Sequence, residues 1–481
     1  MSQTFNSASL PADIADFTLI QALHAVRAKT IAPEDLVRAV MLRYEKFVRF
    51  NAFICANFEA ALEEAKEFIK RPLADAAAKR LFGIPIAVKD NLHVAGLPNT
   101  AGTASLAQFI PQQDCWVVKR LRGEGALLVG KTNMHELSLG VTSQNARFGD
   151  VRNALDEKRL AGGSSGGSAV AVALGLAYGA IGTDTAGSIR IPAALNSIVG
   201  LRPTIGRYAR DGVTPVCPTR DTPGPMGRTV SDVAWLDNAI MDSERPLHDI
   251  GADQIRLGVV RDYFFDGVDA QISAMTSEAL RRLRSAGVQV VELSMPGLND
   301  LNDMVGTAIG FGEFWKSMTR YLRDNRIDVS CAELARAVAS DDVRCLIDNF
   351  IQPGAEHEIA ADVYADAVRI HRPALRQMFA NVFSSNGLDG IVFPTTLAAA
   401  GELSRTDGLV GLDNWQISAN YAYLRNTLPA SNAGLPGLTL PMGFTSQGQA
   451  VGLEIDGPDD SDRRLLAVGC VIESIISNVS A

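Results

Sequence analysis

The chain has 481 residues, 47% of them hydrophobic, enough for a large core in one domain or two. A formal net charge of −9 argues against nucleic acid or an anionic membrane surface as a partner. Six scattered cysteines form no CxxC pair, which fits a reducing cytoplasm and not a disulfide scaffold. The start carries no basic run followed by an apolar stretch, so no Sec-type export signal is expected. The apolar run around Ala169 to Ile181 is too short and too broken by glycine to span a bilayer. The expectation is a soluble, cytoplasmic protein.

Residues 1–16 read as a loose arm. Thr18 suits a helix cap, with Leu19, Ala22, Leu23 and Val26 on one stripe. Pro33 suits the first turn of a second helix, with Glu34 and Asp35 at its positive end. A third helix is expected over residues 58–68, and the three make an N-terminal helical region over 1–75. Ile86 to Val88 then reads as a buried strand with Lys89 at its exit. A lysine is rarely buried without a partner. Either its amine reaches solvent or Asp90, or it is a desolvated amine able to act as a base.

A helix over 114–125 and a strand over 126–129 follow. His135 has no HxxxH, HExxH or cysteine–histidine company, so it is read as a structural group and no metal is expected. Two glycine-rich loops carry serines: Ala161 to Ser168, then Gly182 to Arg190. Glycines beside serines can leave backbone N–H groups facing a bound oxygen. A small-residue helix over 168–178 and a strand over 179–182 are expected between them. Ser188 falls near the start of a helix around Pro192, where donors are unpaired. Asp184 and Arg190 are placed to pair across the second loop.

Residues 215–227 read as a Pro/Gly/Thr-rich loop with a polar knot at Arg220-Asp221-Thr222. Strands over 255–261 and 288–293 flank a helix over 272–286, an α/β layer. Helical periodicity then dominates 296–385. Phe311, Phe314, Trp315, Met318 and Tyr321 form a bulky surface there, either core or a cavity wall. Strands return over 388–395, 437–441 and 451–455, and a closing helix spans 462–476. Pocket walls are expected from 304–321, from a loop over 399–415 and from the turn near Asn432.

Lys89 and the two serine loops together resemble the amidase signature family. The resemblance extends through Asn133-Met134-His135-Glu136-Leu137, Gly200-Leu201-Arg202-Pro203-Thr204 and Ala433-Gly434-Leu435-Pro436-Gly437. Thr219-Arg220-Asp221-Thr222 and Gly452-Leu453-Glu454-Ile455-Asp456-Gly457 resemble its indoleacetamide and mandelamide hydrolases. The resemblance implies an α/β fold: a central mixed, twisted sheet covered by helices on both faces. Its core would be 76–295 with 386–481, and 296–385 a helical cap insertion. It implies a catalytic Lys89, a Ser164 preceded by a cis peptide, and a nucleophilic Ser188. Backbone N–H groups of Thr185, Ala186, Gly187 and Ser188 would form the oxyanion hole. Ser165, Asp184 and Arg190 would support the loops. Ala186 departs from the glycine many members carry.

The chemistry is coherent on its own terms. A serine hydroxyl is a weak nucleophile until a base takes its proton. Lys89 serves only when neutral, far below its usual pKa of about 10.4. The expected reaction is hydrolysis of a small arylacetamide-type carboxamide to acid and ammonia, without cofactor, and a homodimer is an open expectation. Hydrolysis of aryl esters, anilides or carbamates is the nearest alternative. An amidotransferase subunit or a non-catalytic binding protein on the same fold is the other.

Overall fold

The computed structural model describes residues 14–69, 79–243, 246–405, 407–413 and 415–477. Most of the expected N-terminal arm lies outside them, as does the expected boundary at residue 75.

Strands β1 (Phe53–Ala56), β2 (Pro85–Lys89), β3 (Leu127–Thr132), β4 (Gly179–Asp184), β5 (Val199–Arg202) and β6 (Thr222–Gly227) come from the first half of the chain. β7 (Arg256–Val260), β8 (Gln289–Leu293) and β9 (Gly390–Pro394) follow. A small hairpin pairs β10 (Leu409–Leu412) with β11 (Trp415–Ser418), and β12 (Gly437–Phe444) and β13 (Ala450–Asp456) close the series. Eleven strands share one sheet, in the order β1-β3-β2-β4-β6-β5-β12-β13-β9-β7-β8. Parallel pairs at each wing (β3–β2–β4 and β9–β7–β8) flank an antiparallel centre. Helices cover both faces, as the resemblance implied. β2, β3 and β4 are buried along their whole length, which explains their near-continuous apolar and small-residue sequences.

Several elements differ from the sequence expectation. Thr222–Gly227 is a central strand and not a loop. Its prolines are tolerated because β5 meets β6 only at Val199↔Gly227 and Gly200↔Met226, so neither proline sits in a full ladder on both sides. The small-residue helix runs Gly166–Ala173, starting two residues and ending five residues earlier than expected. Leu409–Leu412 is a strand within the 399–415 segment read as a loop, and Trp415–Ser418 is a second strand that starts at its end. A long helix, Ala419–Ala433, had no counterpart in the sequence reading.

Residues 298–386 hold helices and no strand among the described residues. Leu298–Gly312 and Phe314–Asp324 meet at Glu313, so the aromatic run does not lie on one face. Phe314 and Met318 are core, packed in one cluster with Tyr263, Phe264 and Phe393. The Tyr321 hydroxyl is tied to His93 Nε2 at 2.7 Å and Thr214 Oγ1 at 3.0 Å.

The helix Gly166–Ala173 sits hard against neighbouring backbone. A Cβ on Gly167 would lie 2.3 Å from Asn133 O and 2.5 Å from Ala52 O. Gly167→Ala is therefore expected to lower stability by about 1–3 kcal/mol. A chemical denaturation curve with an unshifted midpoint would mean that this contact yields freely.

Candidate active site

The parallel strands β2 and β4 end side by side, with Val88 opposite Ile181. That register puts Lys89 beneath the loop that follows β4. Lys89 is fully buried. Its Nζ donates to Ser164 Oγ at 2.7 Å and to Thr183 Oγ1 at 2.9 Å. Asn91 Nδ2 donates to the same Thr183 oxygen at 2.9 Å. Asp90 is not the partner: its carboxylate meets Lys131 Nζ at 3.0 Å and the Thr100 N–H at 3.0 Å. Burial brings the Lys89 ammonium down to about 7, against the opposing pull of Asp184 and Asp221.

The first serine loop lies over this amine. The Gly163–Ser164 peptide is cis. Ser164 is buried, and its carbonyl accepts the His135 N–H at 3.2 Å. Ser165 fastens the loop to β4: its hydroxyl donates to Thr183 O at 3.1 Å and accepts the Thr183 N–H at 3.3 Å. Ser165 N–H donates to Ser188 O at 3.1 Å, which joins the two loops directly. His135 keeps a structural place, with Nε2 3.0 Å from Asp342 Oδ2.

The second loop turns tightly from Asp184 to Arg190. The Gly187 N–H donates to Asp184 Oδ1 at 2.9 Å. The N–H groups of Thr185, Ala186 and Ser188 have no hydrogen-bond acceptor among the described residues. Gly187 has φ +127°, and a Cβ there would fall 2.2 Å from Thr427 Oγ1. Glycine is required at this position. Thr427 Oγ1 in turn donates to Ala186 O at 2.6 Å. Ala186 lies outside the left-handed region, so its methyl adds no backbone strain. Thr185 Oγ1 donates to Asp221 Oδ1 at 2.6 Å, and Asp221 Oδ2 accepts the N–H of Val216 and of Cys217, each at 2.9 Å.

Behind the turn lies a buried charge network. Arg190 meets both Asp184 oxygens, at 3.0 and 3.2 Å, and Glu454 Oε1 at 2.5 Å. Arg202 Nη1 donates to Asp184 Oδ1 at 2.9 Å and to Asp184 O at 2.7 Å. Burial alone would raise the Asp184 carboxyl, yet Arg190 and Arg202 hold it well below the usual range. Burial raises Glu454, and burial with the Glu454 charge raises Asp456 further.

A cavity of about 250 Å³ opens onto the turn. Thr185, Ala186 and Ser188 line it, whereas Lys89 and Ser164 lie behind it. The helix Leu298–Gly312 contributes one face, Asp303, Gly306, Thr307 and Gly310 at helical spacing, and Phe311 alone of the expected aromatic group. The helix Ala419–Ala433 contributes Asn420, Leu424 and Leu428. The 399–415 segment lines a separate polar cleft instead, with Arg159, Asp269 and Gln449. Asn432 stands behind the cavity wall, accepting a hydrogen bond from Arg220 at 2.7 Å. Among the described residues no His/Cys/Asp/Glu group could hold a metal, and no helix is long and apolar enough to cross a membrane.

Sequence reasoning reached the lysine and both serines through their motifs. It missed Thr183 and Asn91, which touch the amine network, and Thr427, which holds the turn from a helix far along the chain. Thr183 alone carried a signal, being on the strand that leads into the second loop.

The Amidase family profile matches residues 35–466. The chain is 40% identical to mandelamide hydrolase of Pseudomonas putida over 480 residues, covering 97% of this chain and 92% of that one. It is 37% identical to indoleacetamide hydrolase of Agrobacterium vitis over 460 residues, covering 96% and 97%. A solved amidase superposes with a TM-score of 0.82 at 31% identity, covering 96% of this chain and all of the other. The chain belongs to the Amidase family, with the fold of an amidase-signature hydrolase.

Asp184 anchors both arginines and the turn. Asp184→Asn leaves two buried cations short of one charge and is expected to cost about 3–5 kcal/mol. A loss below about 1 kcal/mol in equilibrium unfolding would contradict this view of the network.

Proposed function

We propose that the protein hydrolyses arylacetamide-type carboxamides, such as indoleacetamide or mandelamide, to the carboxylate and ammonia through an acyl-Ser188 intermediate. The observation that carries this is the buried Lys89 amine, bonded to Ser164 beneath a loop that presents Ser188 to the cavity. Neutral Lys89 accepts the Ser164 proton, while Ser164 takes the proton of Ser188. One Lys89 N–H stays on Thr183, which aims the nitrogen lone pair at Ser164. Ser188 Oγ then attacks the amide carbon, and the carbonyl oxygen becomes an oxyanion. The unpaired N–H groups of Thr185, Ala186 and Ser188 suit that oxyanion, while Gly187 serves the turn. The relay runs back to protonate the leaving nitrogen, and ammonia departs. Water attacks the acyl-Ser188 ester by the same route and releases the acid.

The apolar wall formed by Leu139, Val141, Val216, Phe311, Leu424 and Leu428 suits an aryl group. The similarity to mandelamide and indoleacetamide hydrolases supports the same substrate class.

Ammonia release from indoleacetamide, mandelamide and phenylacetamide tests the reading, run beside p-nitrophenyl esters and a carbamate. At least one aryl amide is expected to turn over. Hydrolysis of the esters or carbamate alone would move the assignment to that alternative. The proton relay makes a second prediction. A base must be deprotonated, so kcat/KM is expected to rise with pH through about 7 and then level off. Lys89→Ala should lower the plateau by about 10²- to 10⁴-fold and remove that rise. A variant that keeps the same pH profile would exclude Lys89 as the base.

A further inference from the structure

The other deeply buried arginines have carboxylates. Arg190 and Arg202 meet Asp184, each within 3.0 Å. Arg220 has none among the described residues, although it is only 5% exposed. Its Nη1 donates to Asn432 Oδ1 at 2.7 Å and to Gly306 O at 3.4 Å. Nε has no hydrogen-bond partner, and beyond Asn432 and Gly306 the guanidinium has only the weakly accepting Cys217 sulfur beside it among the described residues. The neighbouring carboxylates are committed elsewhere. Asp221 holds Thr185 and two backbone N–H groups, and Glu313 holds Thr219 and the Tyr364 hydroxyl. A buried guanidinium with idle donors is costly unless an acceptor arrives from outside the chain.

Its placement points to where that acceptor would come from. Arg220 lines the same cavity as Ser188, amid mostly apolar side chains. Its backbone is fixed: the N–H donates to Cys217 O at 2.8 Å, and the carbonyl accepts Arg202 Nη2 at 2.9 Å. Gly310 makes room for the guanidinium, since a Cβ there would lie 2.5 Å from Nη2. The side chain is a held fork in the wall and not a mobile surface group.

We propose that Arg220 determines specificity by binding an oxygen acceptor on the acyl side of the substrate amide: a hydroxyl, keto or carboxylate oxygen. This rests on the reading of Ser188 as the nucleophile facing this cavity. A site with buried donors rejects an analogue that leaves them unpaired.

The test compares kcat/KM for phenylacetamide with that for mandelamide, phenylglyoxylamide and the monoamide of phenylmalonate. These add a hydroxyl, a keto oxygen and a carboxylate in turn. At least one oxygenated amide is expected to exceed phenylacetamide about tenfold or more. Arg220→Met should reduce that ratio to below about threefold, with the oxygenated amide losing more than phenylacetamide. Gly310→Ala, which crowds Nη2 without removing the charge, should reduce it in the same direction. Wild-type ratios near one for all three amides, or ratios unchanged in both variants, would overturn the proposal. Calorimetric binding of phenylacetate and mandelate to wild type and Arg220→Met gives a readout independent of turnover. A preference for mandelate that disappears in the variant supports the subsite, and equal affinities in wild type together with turnover ratios near one for all three amides overturn it. Absence of amide turnover with that preference intact would count against the amidase reading alone.

Discussion

The site depends on a lysine that has been denied a carboxylate. Two lysines lie on adjacent strands of the sheet, Lys89 on β2 and Lys131 on β3. Lys131 takes Asp90, and Arg190 and Arg202 take Asp184. Lys89 is left with hydroxyl oxygens. Hydroxyls stabilise an ammonium far less than a carboxylate does, so burial dominates and the amine sits near neutrality. Moving a lysine from 10.5 to about 7 corresponds to roughly 5 kcal/mol of differential stabilisation. Between those values the unfolded chain binds more protons than the folded one. Stability from this group therefore rises with pH across that window, and its full cost applies below about 7. The fold bears that cost to keep inside the sheet the amine proposed as the base.

The turn above the amine is held from several directions. Asp184 fixes it from below, Thr427 grips Ala186 O from a helix, and Asp221 fixes Thr185. What remains unpaired is a short row of N–H groups facing a cavity. Preorganised donors of this kind act on developing charge without having to reorient during the reaction. The same Asp221 knot fixes the backbone that carries Arg220. The proposed sites for the reacting carbonyl and for the acyl group thus share one support.

How far the sequence could be read follows from the range of each determinant. Lys89 stands at the exit of a short apolar strand and Ser164 and Ser188 in glycine-rich loops, so their placement needs only a strand and two turns. β6 escaped because its prolines look like loop chemistry. The sheet tolerates them through incomplete pairing with β5, a fact of register and not of composition. Thr427 carries no local pattern, since its role is set by the helix Ala419–Ala433 crossing the turn. The cavity wall was half legible. The 303–311 face follows helical spacing, but the helix ends at Gly312, and Phe314 and Met318 on the next one lie in the core.

The most direct measurement is the site of covalent modification. Protein treated with a serine-directed phosphonate, digested and mapped by mass spectrometry should carry one adduct, on the peptide containing Ser188, and none on the peptide containing Ser164. An adduct on Ser164, or no adduct at a concentration that inactivates the protein, would contradict the assignment of nucleophile and relay.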